Sequence, residues 1–422
     1  MEINFKQLIK LPGFEKFDKW DIEPNPFRMF KCKVLRNDDP NWFISSLILS
    51  NNPIGTILPR HLGGAAGSSI YLEESITSCI CEGFERYSST NYFMKDTPYM
   101  RLVDYSKGYI RCADEENAPA SFKFKGITVP IEHAKVFRLT DDTPDFLPYE
   151  LVHLGISKSD INYLFSSPIS TGCAFQTKKE RALKRGLEEV IERHALMLWW
   201  YATDRNEKVI DLSCCTDFDI HERIERIRIK GIRIRIFEIS PIQGFPVVFC
   251  MLQSDKFPFF SCGASCNTDI RHAIIKSLDE AISIRYMSEF IGRRQINTYD
   301  FGWVKTLEDH MVLYANWKDS PIINTIMNKN SNTVLMTDYN MPVRLETMDD
   351  LRTTAVRLHQ EGFDVYYKDL TLDEVRPIGM VYRVMIPQMM PLTQYDNVRW
   401  LSALLTDGRT ISDINPYPQP FS

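Results

Sequence analysis

Two copies of one short spelling, Glu82-Gly-Phe-Glu85-Arg86 and Glu189-Val-Ile-Glu192-Arg193, constrain this chain more than any other feature. At about 100° per helical residue, Ser78, Glu82 and Glu85 fall within one narrow arc, while Ile76, Ile80 and Phe84 point the other way. From Ser75 to Met94 the only charged residues are Glu82, Glu85 and Arg86. A solvated helix face carries more charge than that. The first helix is therefore expected to be covered on several sides, and covered carboxylates need a cation or strong donors to stay ionised.

A third helix offers Glu280, then Ser283 where the second Glu would stand, then Arg285. In each helix a small residue lies seven positions before the first Glu: Ser75, Ala182 and Ala273. Gly172 and Gly263 lie seventeen positions before Glu189 and Glu280, and Gly63-Gly64-Ala-Ala-Gly67 occupies that place in the first segment. The polar stripes read Ser78/Glu82/Glu85, Arg185/Glu189/Glu192 and Lys276/Glu280/Ser283. Three glycine-loop-to-helix units that share one acidic stripe are expected to face a common site.

The chain has 422 residues, enough for two or three domains' worth of core or for one large α/β domain. A net charge of −5 gives no electrostatic case for nucleic acid. No apolar run approaches bilayer length, and Met1-Glu-Ile-Asn-Phe-Lys6 lacks a signal-peptide pattern, so a cytoplasmic protein with no membrane partner is expected. The ten cysteines include no Cys-x-x-Cys pair, and the histidines form no His-x-x-x-His pair. Free thiols in a reducing compartment are expected, without zinc.

Along the chain, residues 1 to about 40 read as an irregular lead-in and Trp42–Ser50 as a strand. Strands are expected at Ile127–Arg138, from Ile232, over Phe245–Leu252, Asp364–Lys368 and Ile378–Ile386, while Phe259–Ala264 leads into the third unit and Cys262 and Cys266 flank its glycine loop. Helices are expected after the first glycine loop, over Lys178–Trp200, Asp269–Phe290 and Thr347–Gln360. Arg233 and Arg235 alternate with isoleucines as a half-exposed strand rather than a nucleic-acid stripe, and residues 300–345 show no clear period. The tail Pro416-Tyr-Pro418-Gln-Pro420 favours polyproline II geometry.

Carboxylates converging from several helices suit Mg²⁺, and arginines beside them suit phosphate. With glycine loops at helix N-termini, that is the inventory of a nucleoside triphosphate site. No Gly-Lys pair occurs, which excludes a Walker A loop, and no His-Arg-Asp triplet supports a protein kinase. A paired-carboxylate glycosidase would need neither three helices nor the arginines.

Taken in order, these segments resemble the YcaO family of ATP-dependent enzymes that modify peptide backbones. The residues that carry the resemblance are Ser78, Glu82, Glu85 and Arg86, then Ser170-Thr171-Gly172 with Glu189, Glu192 and Arg193, then Gly263, Ala273, Leu278, Glu280 and Arg285. Gly244-Phe-Pro246, Lys368-Asp369-Leu-Thr371 and Val381-Tyr-Arg383-Val-Met-Ile-Pro387 add to it. The resemblance implies an α/β fold of the YcaO type, with repeated glycine-loop/helix units and mainly antiparallel sheets around a shared ATP/Mg²⁺ site. It implies Glu82, Glu85, Glu189 and Glu192 as ligands of two Mg²⁺ ions. Ser78, Arg86, Arg193, Glu280 and Arg285 would hold the nucleotide. Ser283 stands where the family commonly has Gln. Pro416, Pro418 and Pro420 resemble the ending of azoline-forming members, where the tail is thought to orient the active site; here Phe421 and Ser422 follow it.

The implied organisation is a lead-in at 1–60 that could dock a partner, an ATP-binding catalytic domain at 61–390 and a C-terminal segment at 391–422. The implied reaction is cyclodehydration of Cys, Ser or Thr in a ribosomal precursor peptide. Its expected partners are that peptide, a separate E1-like protein that captures the leader, a flavin-dependent azoline dehydrogenase and a second copy of the chain. A thioamide- or amidine-forming member and a non-catalytic ATP-binding scaffold are the alternatives.

Overall fold

The structure is a computed structural model, and it describes residues 2–3, 27–34, 39–49, 63–92, 99–104, 128–154, 169–203, 208–213, 215–336, 343–393 and 413–421. The expectations for Asn51–Asn52–Pro53, His61–Leu62 and Ser422 lie outside the described residues.

Three sheets carry the chain. The first has the order β1 (Glu2–Ile3), β2 (Phe27–Val34), β3 (Phe43–Leu49) and β4 (Gly64–Ser69), all antiparallel. The second has the order β5 (Tyr99–Asp104), β6 (Thr128–Arg138), β14 (Tyr366–Asp369), β15 (Met380–Met385) and β8 (Cys173–Gln176), with β7 (Pro144–Pro148) paired to β6. The third has the order β12 (Phe260–Cys266), β11 (Val247–Gln253), β10 (Arg233–Glu238), β9 (Lys208–Asp211) and β13 (Asn332–Leu335). The β9–β13 pair alone is parallel among the described pairings. The helices longer than one turn, among the described residues, are α1 (Leu72–Asn91), α2 (Lys179–Tyr201), α3 (Phe218–Arg228), α4 (Ile270–Ile291), α5 (Leu307–Asn316), α6 (Pro321–Asn328) and α7 (Met348–Gln360).

The repeat is real, and its unit is a strand followed by a helix. β4 leads into α1, β8 into α2 and β12 into α4, and each helix packs on the strand before it. This corrects the glycine loops: Gly64–Ser69 and Phe260–Cys266 are strands, with Gly67 and Gly263 inside them. The physical reason is close approach. A Cβ at Gly67 would lie 2.0 Å from the Ser75 carbonyl oxygen, and one at Gly263 would lie 2.4 Å from the Ala281 nitrogen. Glycine in these strands lets a helix backbone sit almost in contact with the sheet. The small residues answer from the helix side, where Ser75, Ala182 and Ala273 are fully buried. Ser75 also donates its hydroxyl to the Gly67 carbonyl at 2.9 Å.

The predicted helix faces hold. Ile76, Ile80 and Phe84 are at most 2% exposed, and Leu183, Leu187 and Ile191 are fully buried. The lead-in differs from the expectation, because Phe27–Val34 is a strand in register with β3. In the first sheet β1 to β3 precede residue 60 and β4 follows it. In the unassigned stretch 300–345, two short helices appear. Thr306 and Asp309 form a reciprocal capping box at the start of α5, and Pro321 opens α6. An Asp-Phe-Gly triplet, expected to be absent, is present at Asp300-Phe301-Gly302, and there Gly302 N–H donates to Asp300 at 2.9 Å. Arg233 and Arg235 spend their guanidiniums on α6 and the residues after it, including the Met327 and Ile326 carbonyls.

A buried polar knot braces the units. Arg223 on α3 forms two bonds to the Asp279 carboxylate of α4, at 2.9 and 3.2 Å, and Trp42 Nε1 donates to the same carboxylate at 3.1 Å. Arg223 also donates to the Ser69 hydroxyl at the end of β4. The first and third repeat units are therefore tied through one buried ion pair, one residue away from Glu280.

Candidate nucleotide and metal site

Each of the three leading glutamates is hooked by a backbone N–H of its own unit's strand or of the turn before it. Ala66 N–H donates to Glu82 at 3.0 Å, Gly172 N–H to Glu189 at 3.1 Å and Ala264 N–H to Glu280 at 2.6 Å. The near-constant sequence spacing read from the chain is this hydrogen bond. It orients one carboxylate oxygen of each glutamate.

The second acids join them. Glu192 accepts from Cys266 N–H at 2.9 Å, so α2 reaches across to the strand of the third unit. Beside it Glu188, fully buried, accepts from Thr268 N–H at 3.2 Å and from Arg185 at 3.0 Å. Arg193 bridges helices, 3.6 Å from Glu192 and 3.9 Å from Glu280. Arg86 binds Glu82 through Nη2 at 3.1 Å, while its buried Nε has no partner. Ser78 stands half-buried on the same face of α1, one turn before Glu82.

The carboxylates from different helices repel one another. Burial pushes Glu85 well above the usual glutamate range, and the charges of Glu189 and Glu82 add to the shift. Glu189 is raised by burial, offset in part by Arg193 and Arg86. Glu280 is raised by burial, with Glu189 and Glu82 adding to it against Arg193. Glu192 is pushed up to about 8 by burial, with Glu280 and Glu189 acting against Arg193. All three helices thus turn their acidic sides to one place, as the stripes predict.

This donor set fits a divalent cation. Six carboxyl groups, counting Glu188, meet three guanidiniums, those of Arg86, Arg185 and Arg193, so the buried acids outnumber the buried cations and a bound cation would favour their ionised form. Among the described residues no three acidic, His or Cys side chains close on one point as a complete metal cage. Mg²⁺ does not ask for one, since it keeps waters and phosphate oxygens in its shell and takes only a few carboxylates from protein. The unpartnered Arg86 Nε is a donor open to an oxyanion.

Arg285 is placed elsewhere. It follows Glu280 by five residues, whereas Arg86 and Arg193 follow their glutamates by four, and the extra residue turns it about 100° off the stripe. It is buried against Asp39 at 2.7 Å and the Pro258 carbonyl at 2.6 Å. The structure thus gives Arg285 an ion pair with Asp39, in the connection just before β3, rather than a place beside Glu280. Ser283 is half-buried on α4, one turn beyond Glu280.

The tail is docked, not frayed. Prolines donate no hydrogen bond, so a polyproline segment is held through its carbonyls. Trp200 Nε1 donates to the Tyr417 carbonyl at 3.0 Å and Tyr314 to that of Pro418 at 2.6 Å. His310 Nδ1 meets the Gln419 carbonyl at 2.7 Å, and Cys262 Sγ meets that of Pro420 at 3.5 Å. Pro418 and Pro420 are buried and Pro416 is exposed. Phe421 is 4% exposed and packs on Trp200 and Phe249. Cys262 is two residues from Ala264, so the tail ends against the strand that hooks Glu280.

Residues 66–390 match the YcaO family, described as YcaO cyclodehydratase, ATP- and Mg²⁺-binding. The chain belongs to the YcaO family, and ATP and Mg²⁺ are the ligands that go with it. Among solved structures, a heterocyclase in complex with substrate and cofactor superposes with a TM-score of 0.71 at 16% identity, covering 96% of this chain and 57% of that one. YcaO from Methanopyrus kandleri, bound with AMPPCP and Mg²⁺, gives 0.61 at 16% identity, covering 92% and 91%. A chain of the E. coli microcin synthetase McbBCD complex with pro-MccB17 bound gives 0.59 at 18%, covering 87% and 90%. The chain therefore spans little more than half of the heterocyclase's length. No curated protein is similar to it in sequence at a significant level. Among the described residues no helix is long and apolar enough to cross a membrane.

A pH dependence follows from the raised carboxyls. A Glu whose folded pKa lies above its unfolded one stabilises the fold at low pH and loses that contribution as pH rises through the folded value. For Glu192 the window runs from the ordinary value of about 4.3 up to about 8. Without divalent cation, the melting temperature should fall as pH rises across that window. Saturating Mg²⁺ and ATP should flatten the fall, because ionised carboxylates are then paired. Thermal melts across the window, with and without Mg²⁺–ATP, check this; a cation-free curve that rises with pH would contradict the clustering.

Proposed function

We propose that the protein is an ATP-dependent cyclodehydratase of a ribosomally made precursor peptide. In this reading a Cys, Ser or Thr side chain adds to the preceding backbone carbonyl. The former carbonyl oxygen accepts the terminal phosphoryl group of ATP, and it leaves as phosphate to give a thiazoline or oxazoline. An amide oxygen is a poor leaving group and phosphate a good one, which is why the reaction needs ATP.

Glu82, Glu85, Glu189 and Glu192 would hold Mg²⁺, which offsets the charge of the triphosphate when bound. Ser78, Arg86 and Arg193 would position nucleotide, with Glu280 anchoring Arg193 from the third helix. The backbone hooks at Ala66, Gly172 and Ala264 keep the carboxylates oriented before nucleotide arrives, which is the preorganisation that phosphoryl transfer rewards. Arg285 has a structural pairing and is left out of this set.

The observation that carries the reading is the convergence of the family's glutamates from three helices, each already hooked by a backbone N–H. The docked Pro416–Pro420 tail favours azoline formation over thioamide or amidine formation. The E1-like leader-binding protein and the flavin-dependent dehydrogenase remain proposed partners, as does a homodimer.

Mass spectrometry of a cognate precursor, incubated with ATP, Mg²⁺ and any leader-binding partner, tests the reading. Loss of one water per modified residue with matching ADP release is expected. ATP binding with no change in peptide mass would favour a scaffold, and exchange of oxygen for sulfur would favour the thioamide branch.

A further inference from the structure

Arg383, in the middle of β15, is 5% exposed, and both ends of its fork are engaged by backbone carbonyls. Nη1 donates to the Val152 carbonyl at 3.3 Å and Nη2 to the Ile169 carbonyl at 2.9 Å, while the buried Nε has no partner. Directly opposite on β14 stands Lys368, also buried, whose Nζ donates to the Lys135 carbonyl at 2.9 Å. Burying two cations opposite each other is costly even when each is hydrogen-bonded to backbone carbonyls. A residue needed only to fill the space would be apolar.

What Arg383 holds is the turn that carries the Glu189 hook. Residues 169–173 form a bracketed corner. Arg383 takes the Ile169 carbonyl, Cys173 N–H takes that of Ser170 at 2.8 Å, and Val384 N–H takes that of Gly172 at 2.8 Å. Gly172 sits at φ +82°, and a Cβ there would lie 2.0 Å from the Val384 oxygen, so the corner has almost no freedom. The N–H left over at Gly172 is the one that meets Glu189 at 3.1 Å.

We infer that Arg383 is a positioning residue for the metal site: by clasping the Val152 and Ile169 carbonyls it sets the corner whose Gly172 N–H aims Glu189. This rests on the proposed role of Glu189. The planar fork of arginine serves two acceptors at once, whereas lysine serves them as a single point charge. The role is reached through Gly172, so Arg383 itself touches neither nucleotide nor peptide.

The test compares the wild type with Arg383→Lys and Arg383→Met in two measurements. One is the Mg²⁺ concentration that gives half-maximal binding of a fluorescent ATP analogue. The other is amide hydrogen exchange over residues 169–173. The Met variant should need about tenfold more Mg²⁺, as losing charge-assisted hydrogen bonds implies, and should exchange faster at the corner. The Lys variant should fall between. A folded Met variant with the wild-type Mg²⁺ curve overturns the inference, and so does failure of both variants to fold, which would assign Arg383 to global stability alone. If the wild type itself binds no nucleotide in a Mg²⁺-dependent way, the functional reading fails first, and that outcome is visible without either variant.

Discussion

Glu189→Gln should lose at least about a thousandfold in ATP-dependent turnover while the protein stays folded, since in the proposed site it removes a charge that would hold Mg²⁺, and losing such a charge forfeits several kcal/mol of transition-state stabilisation. The substitution keeps the shape of the side chain. The amide oxygen can still accept from Gly172 N–H, which now lies 3.1 Å from the carboxylate, so what is lost is charge. Glu189 also contributes to the repulsion felt by Glu85, Glu192 and Glu280. Its neutralisation relieves that repulsion, and the melting temperature measured without Mg²⁺ should hold or rise. Loss of activity together with retained stability is the signature of a ligand rather than of a packing residue. Wild-type turnover in the Gln variant would remove Glu189 from the site.

The second large effect concerns the tail. Phe421→Ala should destabilise the fold by about 3–5 kcal/mol, the usual cost of truncating a buried aromatic, because Phe421 fills the space between Trp200 and Phe249. Removing residues 415–422 should go further. It leaves the Trp200, Tyr314 and His310 side chains without the carbonyl partners they have in the intact chain. It also withdraws the chain that abuts Cys262 beside the Glu280 hook. Denaturant unfolding and ATP turnover of both variants check this. A truncated protein with wild-type stability and rate would show the tail to be peripheral.

Much of this site is legible in the chain, and the reason is periodicity. Ser78/Glu82/Glu85 and Arg185/Glu189/Glu192 fall on one face of a helix whatever surrounds them, and the small residues seven positions earlier mark where strand and helix touch. The glycines misled because density of glycine reads as a loop, whereas Gly67 and Gly263 are strand residues pressed against a helix backbone. Arg285 misled because one extra residue between Glu and Arg rotates the side chain out of the stripe and toward Asp39.

Other elements carry no local signal. The Arg223–Asp279 pair joins residues far apart in sequence, and nothing near either one announces the other. The same holds for Arg383 and the two carbonyls that it clasps. By contrast, α5 did have a signal, the Thr306/Asp309 capping box, and α6 had Pro321 at its start. Those short starts are drowned in a stretch without a clear apolar period. The tail's anchors, Trp200, His310 and Tyr314, are ordinary core residues until the prolines are seen to offer them carbonyls.

The most direct measurement of the central claim is a crystal structure with a non-hydrolysable ATP analogue and Mn²⁺ in place of Mg²⁺, in which anomalous scattering locates the metal without reference to any model of the site. Metal peaks bounded by carboxylate oxygens of Glu82 or Glu85 on one side and Glu189 or Glu192 on the other, with the triphosphate between the helices, are the expected result. Metal bound away from these glutamates, or nucleotide bound outside the space between α1, α2 and α4, would contradict the account.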